Sequence, residues 1–234
     1  MTWTRVRCRH RGVKRMLDLT RQSGIVPSGL VEMLSVHIVG AGAVGSHAAE
    51  VLCKMGIRTM KVSDFDTIEA HNLPNQGYLL PDIGKLKVVA LSERLSVGTG
   101  AKVEADASLV EESYRFTHDI VVSAVDSMRA RMALWEAFKA SEEPRFFIDG
   151  RMGARHGKLL VADRTSADSM VRYEGTLHSD EEGHQAPCTE KATIFCAYAM
   201  GALIGGVLCN YAAGEAISPE TDIDLVTMRM TRSA

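Results

Sequence analysis

Apolar positions in this chain fall in short runs separated by amphipathic stretches, and their spacing predicts strands alternating with helices. Val36, Ile38 and Val39 form the first run and read as a buried strand at 35–39. Later runs predict strands at 59–63, 101–105, 119–124 and 145–149, and the stretches between them predict helices at 45–55, 84–96 and 127–140. That alternation builds a doubly wound, mostly parallel sheet covered on both faces. The pattern then changes. Residues 152–162 alternate loosely, as the start of an antiparallel C-terminal extension, and 222–230 (D-I-D-L-V-T-M-R-M) alternates as one final strand. Between them, 166–191 is rich in Gly, Ser and acidic residues and reads as a mobile loop, and 192–213 reads as a long apolar helix. The region 1–33 carries Arg5, Arg7, Arg9, Arg11 and Arg15 and reads as a basic N-terminal extension with one or two short helices, ahead of a single domain over 34–234.

Composition narrows the function classes. The 27 basic and 29 acidic side chains leave a net charge of −2, so the total charge makes no case for a nucleic acid or a membrane surface as partner. Thr193–Ala213 comes nearest to a membrane span, but Gly201, Gly205, Gly206 and Asn210 favour a buried helix. The basic N-terminus lacks the apolar core of a secretory signal, so a cytoplasmic location is expected. Five cysteines (Cys8, Cys53, Cys188, Cys196, Cys209) show no disulfide framework and no C-x-x-C pair, so a structural zinc is not expected. His37, His71, His118, His156, His178 and His184 show no metal-ligand spacing.

The chemistry begins where the first strand ends. Gly40, Gly42 and Gly45 lie between that strand and the next helix, where a Rossmann-like fold needs a tight turn, close approach of backbone to phosphate, and close packing of helix on strand. The helix N-terminus offers free N–H groups and the positive end of a dipole to an anion. Asp64 follows the second strand, where a carboxylate can bind ribose hydroxyls. On these features alone a nucleotide lies across the first βαβ unit, and NAD fits as well as ATP.

Four further motifs follow in order. They are Asp64-Phe65-Asp66, Asn72-Leu73-Pro74-Asn75-Gln76, Gly84-Lys85-Leu86-Lys87 and Ser123-Ala124-Val125-Asp126. From Gly40 to about Gly157 the chain thereby resembles the superfamily of ubiquitin-activating enzymes and their bacterial relatives ThiF, MoeB and HesA, which adenylate the C-terminus of ubiquitin-like proteins. The resemblance implies ATP over the glycine turn, its ribose on Asp64, with Asp66, Asn72 and Gln76 around the nucleotide and Lys87 on the phosphates. It implies Mg²⁺ on Asp126, a homodimer whose Arg21 crosses into the partner's ATP site, and a β-grasp partner ending in glycine. A conjugating enzyme or sulfur-transfer partner would follow. Cys188, in Q-A-P-C-T-E-K, resembles the cysteine that takes the acyl group as a thioester, and a thiol at a helix N-terminus near Lys191 has its pKa lowered.

Each of these residues also has a plainer reading. Asp66 can orient a loop, Asn72 can be a turn residue, and Asp126 can cap the helix at 127–140. Lys85 competes with Lys87 for phosphate, Arg21 can be an exposed residue of a basic leader, and Cys188 can be structural. Asn75 departs from the family, which has arginine there, and a guanidinium pairs with phosphate as an amide cannot. Either another arginine substitutes, Arg151 or Arg155, or adenylation is weak. Two alternatives to an activating enzyme therefore stand beside it: a non-catalytic partner subunit of the same fold, and an NAD-dependent oxidoreductase.

Overall fold

The computed structural model describes residues 17–179 and 192–233. One eight-stranded sheet runs through it in the order β3-β2-β1-β4-β5-β6-β7-β8. The strands β1 (Ser35–Val39), β2 (Thr59–Ser63), β3 (Lys102–Asp106), β4 (Ile120–Ser123) and β5 (Phe146–Gly153) pair in parallel. The strands β6 (His156–Asp163), β7 (Glu220–Asp224) and β8 (Arg229–Arg232) add antiparallel to β5. The expected doubly wound sheet and its antiparallel extension are both present.

Both faces are covered, as apolar parallel strands require. The helices α2 (Ala43–Met55), α3 (Lys87–Thr99) and α6 (Ile194–Ala213) close one face over a core that includes Ile38, Leu52, Leu91 and Ile204, into which the short α1 (Ser28–Val31) inserts Val31. The helices α4 (Met128–Ala140) and α5 (Ala167–Glu174) close the other. There Trp135 stacks on Phe138 at 5.4 Å and meets Phe147 and Tyr173 at 5.5 and 4.5 Å between ring centres. α6 is long and apolar enough to cross a membrane by length and composition. Its apolarity has another outlet: Cys196, Met200, Ile204 and Leu208 are buried in the core. Gly201 and Gly205 let α6 press on α2, since a Cβ at Gly201 would lie 3.0 Å from Ala48 N and one at Gly205 2.6 Å from Val51 Cγ1.

Three sequence expectations need correction. The stretch 222–230 is not one strand but a hairpin: Asp224 ends β7 and its carboxylate accepts hydrogen bonds from Val226 N, Thr227 N and Thr227 Oγ1. Asp side chains compete in this way for backbone donors and start turns. Met228 then takes a positive φ of 56° at the corner, and alternation continues across the turn only because Val226 and Met228 are exposed. The region 166–191 is not loop throughout, because Ser166 caps α5 through its hydroxyl to Ser169 N and Tyr173 buries its ring in the core; residues 180–191 lie outside the described part. The described end of the N-terminal extension belongs to the domain: Val31 is buried, and Gln22 Nε2 donates to Lys54 O.

Candidate functional site

The site starts from the backbone at the carboxyl end of β1. Gly40 turns at φ +97°, and a Cβ there would lie 2.6 Å from Ala124 O. A Cβ at Gly45 would lie 1.8 Å from Gly40 O, so the turn closes only without side chains at both positions. Gly42, the N-cap residue of α2, is different: a Cβ there meets nothing within 4 Å. Its free space is where a phosphate would approach the N–H groups of α2.

Asp64 clamps this turn. Its Oδ2 accepts from Ala41 N at 2.7 Å and its Oδ1 from Asp66 N at 2.8 Å. The carboxylate therefore ties the end of β2 to the glycine turn, with lone pairs left for a ligand hydroxyl. Tyr78, which the sequence did not single out, locks the same turn by donating from its hydroxyl to Ala41 O at 2.6 Å, and burial raises its pKa.

Asp66 and Lys87 find each other. Lys87 Nζ lies 2.6 Å from Asp66 Oδ2, and Lys87 N donates to Asp66 O at 2.9 Å. A lysine at the first residue of α3, where the helix dipole disfavours a cation, is thus offset by a carboxylate of this chain. Lys85 pairs with Asp82 at 2.9 Å. Asn72 is buried, and its Oδ1 accepts from Glu69 N at 2.8 Å, which satisfies the turn reading. Asn75 O faces His47 Nε2 at 3.3 Å, while the buried side-chain oxygens of Asn75 and Gln76 have no hydrogen-bond partner among the described residues. Arg94 brings a cation behind this segment, 3.6 Å from Glu50, with Nε and Nη2 buried and without hydrogen bonds among the described residues.

Asp126 stands past the end of β4, exposed, and makes no hydrogen bond or ion pair among the described residues. It does not cap α4; Ser127 does, accepting from Ala130 N at 3.2 Å. A free carboxylate is a hard oxygen donor of the kind Mg²⁺ takes beside phosphate oxygens. Among the described residues no cluster of three or more His, Cys, Asp or Glu side chains could hold a metal ion. From Asp126 a trough of about 660 Å³ opens over β5–β8, with Arg131 and Arg151 at its inner end and Lys158, Asp222 and Arg229 along its floor.

Arg21 is exposed and lies beside Gln22, which is tied to the C-terminal end of α2. The glycine turn is at the other end of that helix, about 19 Å away for thirteen residues at ~1.5 Å each. Within one chain Arg21 does not approach the turn. Cys188 falls outside the described residues. Cys53 and Cys196 are core residues whose thiols burial pushes up to about 12 and about 11.

The turn, its clamp on the next strand and a free acid at the edge of β4 define the class: a doubly wound nucleotide-binding domain with its site at the carboxyl ends of the strands. The chain belongs to the ThiF family, whose pattern matches residues 28–226. It is 31% identical over 124 residues to ubiquitin-like modifier-activating enzyme 5 of Dictyostelium discoideum, covering 46% of this chain and 32% of that protein. It is 32% identical over 145 residues to the Arabidopsis thaliana protein of the same name, covering 53% and 33%. The match thus spans about a third of the length of these curated relatives. E. coli MccB, solved with AMPCPP and MccA, superposes at TM-score 0.65 and 15% identity over 88% of this chain and 65% of that one. The E. coli tRNA N6-threonylcarbamoyladenosine dehydratase TcdA, in complex with ATP, superposes at 0.63 and 18% identity over 84% and 95%. These two likenesses show the fold.

Proposed function

We propose that this protein is an ATP-dependent adenylyltransferase acting on the C-terminal carboxylate of a ubiquitin-like protein or a peptide. The observation that carries the reading is the unpaired Asp126 placed between a glycine turn with room for phosphate at Gly42 and a trough with room for a chain end. The names of the curated relatives, and the nucleotides held by the two solved structures, support the same reading.

The chemistry asks little of the protein beyond placement and charge. An ionised terminal carboxylate attacks the α-phosphorus of ATP, the bond to the bridging oxygen breaks, and pyrophosphate leaves without a proton transfer. The N–H groups of α2 hold phosphate, and Asp64 holds the turn and the ribose. Mg²⁺, with Asp126 and phosphate oxygens as ligands, would supply charge neutralisation. For Lys87 to reach a phosphate it would exchange Asp66 for it. Arg21, far from its own glycine turn, fits a role across a two-fold dimer. Cys188 would then attack the acyl-adenylate carbonyl as a thiolate, releasing AMP and forming a thioester; its sequence context supports this step.

An ATP–pyrophosphate exchange assay with glycine-ended β-grasp proteins tests the reading. Exchange that depends on such a protein supports adenylation. Exchange that appears only when a second ThiF-family chain is added supports the partner-subunit reading, which Asn75 favours. A thiol-sensitive adduct lost in Cys188→Ala, with exchange kept within about twofold, supports the thioester step; an adduct that persists in the mutant removes it.

A further inference from the structure

At the inner end of the trough two guanidinium groups share one carboxylate. Asp149 is fully buried on β5, opposite Ser123 of β4. Its Oδ1 accepts from Arg131 Nε at 3.1 Å, and its Oδ2 from Arg151 Nε at 2.7 Å and from the Tyr173 hydroxyl at 3.1 Å. Arg131 Nη2 also donates to Val125 O at 2.6 Å, and Arg151 donates to Thr176 O and Oγ1 at 3.0 and 2.9 Å. Two cations against one anion leave a charge of +1. It sits where the arginine side chains are only 8% and 17% exposed. Carbonyl and hydroxyl dipoles soften that burial but do not neutralise it, and an uncompensated buried charge is costly.

The surplus charge has donors to offer. An arginine carries five N–H groups; among the described residues Arg131 uses two of them and Arg151 three. Both residues line the trough that begins at Asp126. Further out on the floor, Lys158 pairs with Glu220 and Asp222, and His156 lies 3.2 Å from Asp224. From β5 to β8 the floor is about 14 Å wide at ~4.8 Å per strand, the reach of about four extended residues.

We propose that Arg131 and Arg151, positioned by Asp149, form an oxyanion anchor at the head of the trough. The N–H groups left over on the two guanidinium groups can donate charge-assisted hydrogen bonds to a carboxylate or a phosphate. The anion is the terminal carboxylate of the substrate or a phosphate of the nucleotide, and the proposal rests on the adenylation reading for its place in the reaction.

Binding in the absence of Mg²⁺ separates the two sources. The probes are a six-residue peptide ending Gly-Gly as the free acid, the same peptide as the amide, AMP and inorganic pyrophosphate, titrated into wild type, Arg151→Gln and Arg151→Lys. If the carboxylate is the ligand, wild type binds the acid at least tenfold better than the amide, Arg151→Gln loses that preference, and AMP binding changes less than twofold. If phosphate is the ligand, Arg151→Gln weakens pyrophosphate or AMP at least tenfold and the two peptides bind alike. In either case Arg151→Lys, which keeps the charge without the guanidinium, falls between. Variants that bind every probe within twofold of wild type overturn the anchor. Absence of ATP–pyrophosphate exchange in wild type would count against adenylation, yet it leaves these binding differences intact, so the two failures are separable.

Discussion

The parallel half of the sheet and its junction with the antiparallel strands build their sites in different ways. In the parallel half, Gly40, Gly42, Gly45, Asp64 and Tyr78 lie within one βαβ unit and the turn after it, and their contacts are mainly backbone to backbone or carboxylate to backbone. At β5, where the parallel strands meet the antiparallel ones, the anchor draws Arg131 from α4, Asp149 and Arg151 from β5 itself, Tyr173 from α5 and Thr176 from just beyond it. A turn that binds phosphate needs a particular backbone shape, which a few glycines dictate locally. A buried ion network needs side chains from distant segments, and folding brings them together.

The comparison can be broken at the turn. A Cβ at Gly45 meets the backbone of Gly40, which cannot move aside, so Gly45→Ala should lose about 3 kcal/mol or more of stability in urea unfolding. An alanine tolerated there would mean that the turn is looser than the contact implies. At the boundary between the halves, Asp126→Ala should reduce pyrophosphate exchange about a hundredfold with an unchanged melting temperature, since Asp126 is exposed and supports no core contact. Full exchange in that variant would detach Asp126 from the reaction.

Acid should act on the parallel half through His37. This residue is buried on β1 with its Nε2 2.8 Å from Ser63 Oγ, faced by His118, Lys61 and Asp106. Burial first, then the His118 and Lys61 charges, depress its pKa from 6.5 to about 3. The native ring stays neutral while the unfolded one takes a proton, so its stabilising share is present above 6.5 and is lost as pH falls toward about 3. Between pH 7 and 4.5 wild type should lose about 2.5 kcal/mol more than His37→Gln, at ~1.36 kcal/mol per pH unit, read from urea midpoints at the two pH values.

Two smaller effects sharpen the contrast. Tyr173→Phe removes one donor from Asp149 and should cost about 1.5 kcal/mol, a hydrogen bond to a charged group, read from urea midpoints. Gly42→Ala should leave stability unchanged, because its Cβ meets nothing and its φ of −77° suits alanine, yet weaken ATP about tenfold by filling the space at the helix N-terminus. Calorimetric titration with ATP checks the Gly42 variant. Equal ATP affinity in Gly42→Ala and wild type would remove phosphate from that turn.

Much of this molecule is written locally. The apolar runs around Val36–Val39 and Ile120–Ser123 determine parallel strands, because a strand buried on both faces has no polar side to show. Gly40 and Gly45 determine the turn through steric exclusion, and the order of motifs from Asp64 to Asp126 determines the family. Other features were legible only after folding. The partner of Lys87 is Asp66, which comes close when the chain from β2 returns to α3. Ser127 rather than Asp126 caps α4, a choice between neighbours that backbone geometry makes. Asp149 reads in sequence as the acid ending F-F-I-D, with no sign that two arginines converge on it. Local sequence specifies backbone conformation because sterics act over a few bonds; it does not specify which buried charges meet, because their pairing depends on how sheet and helices pack.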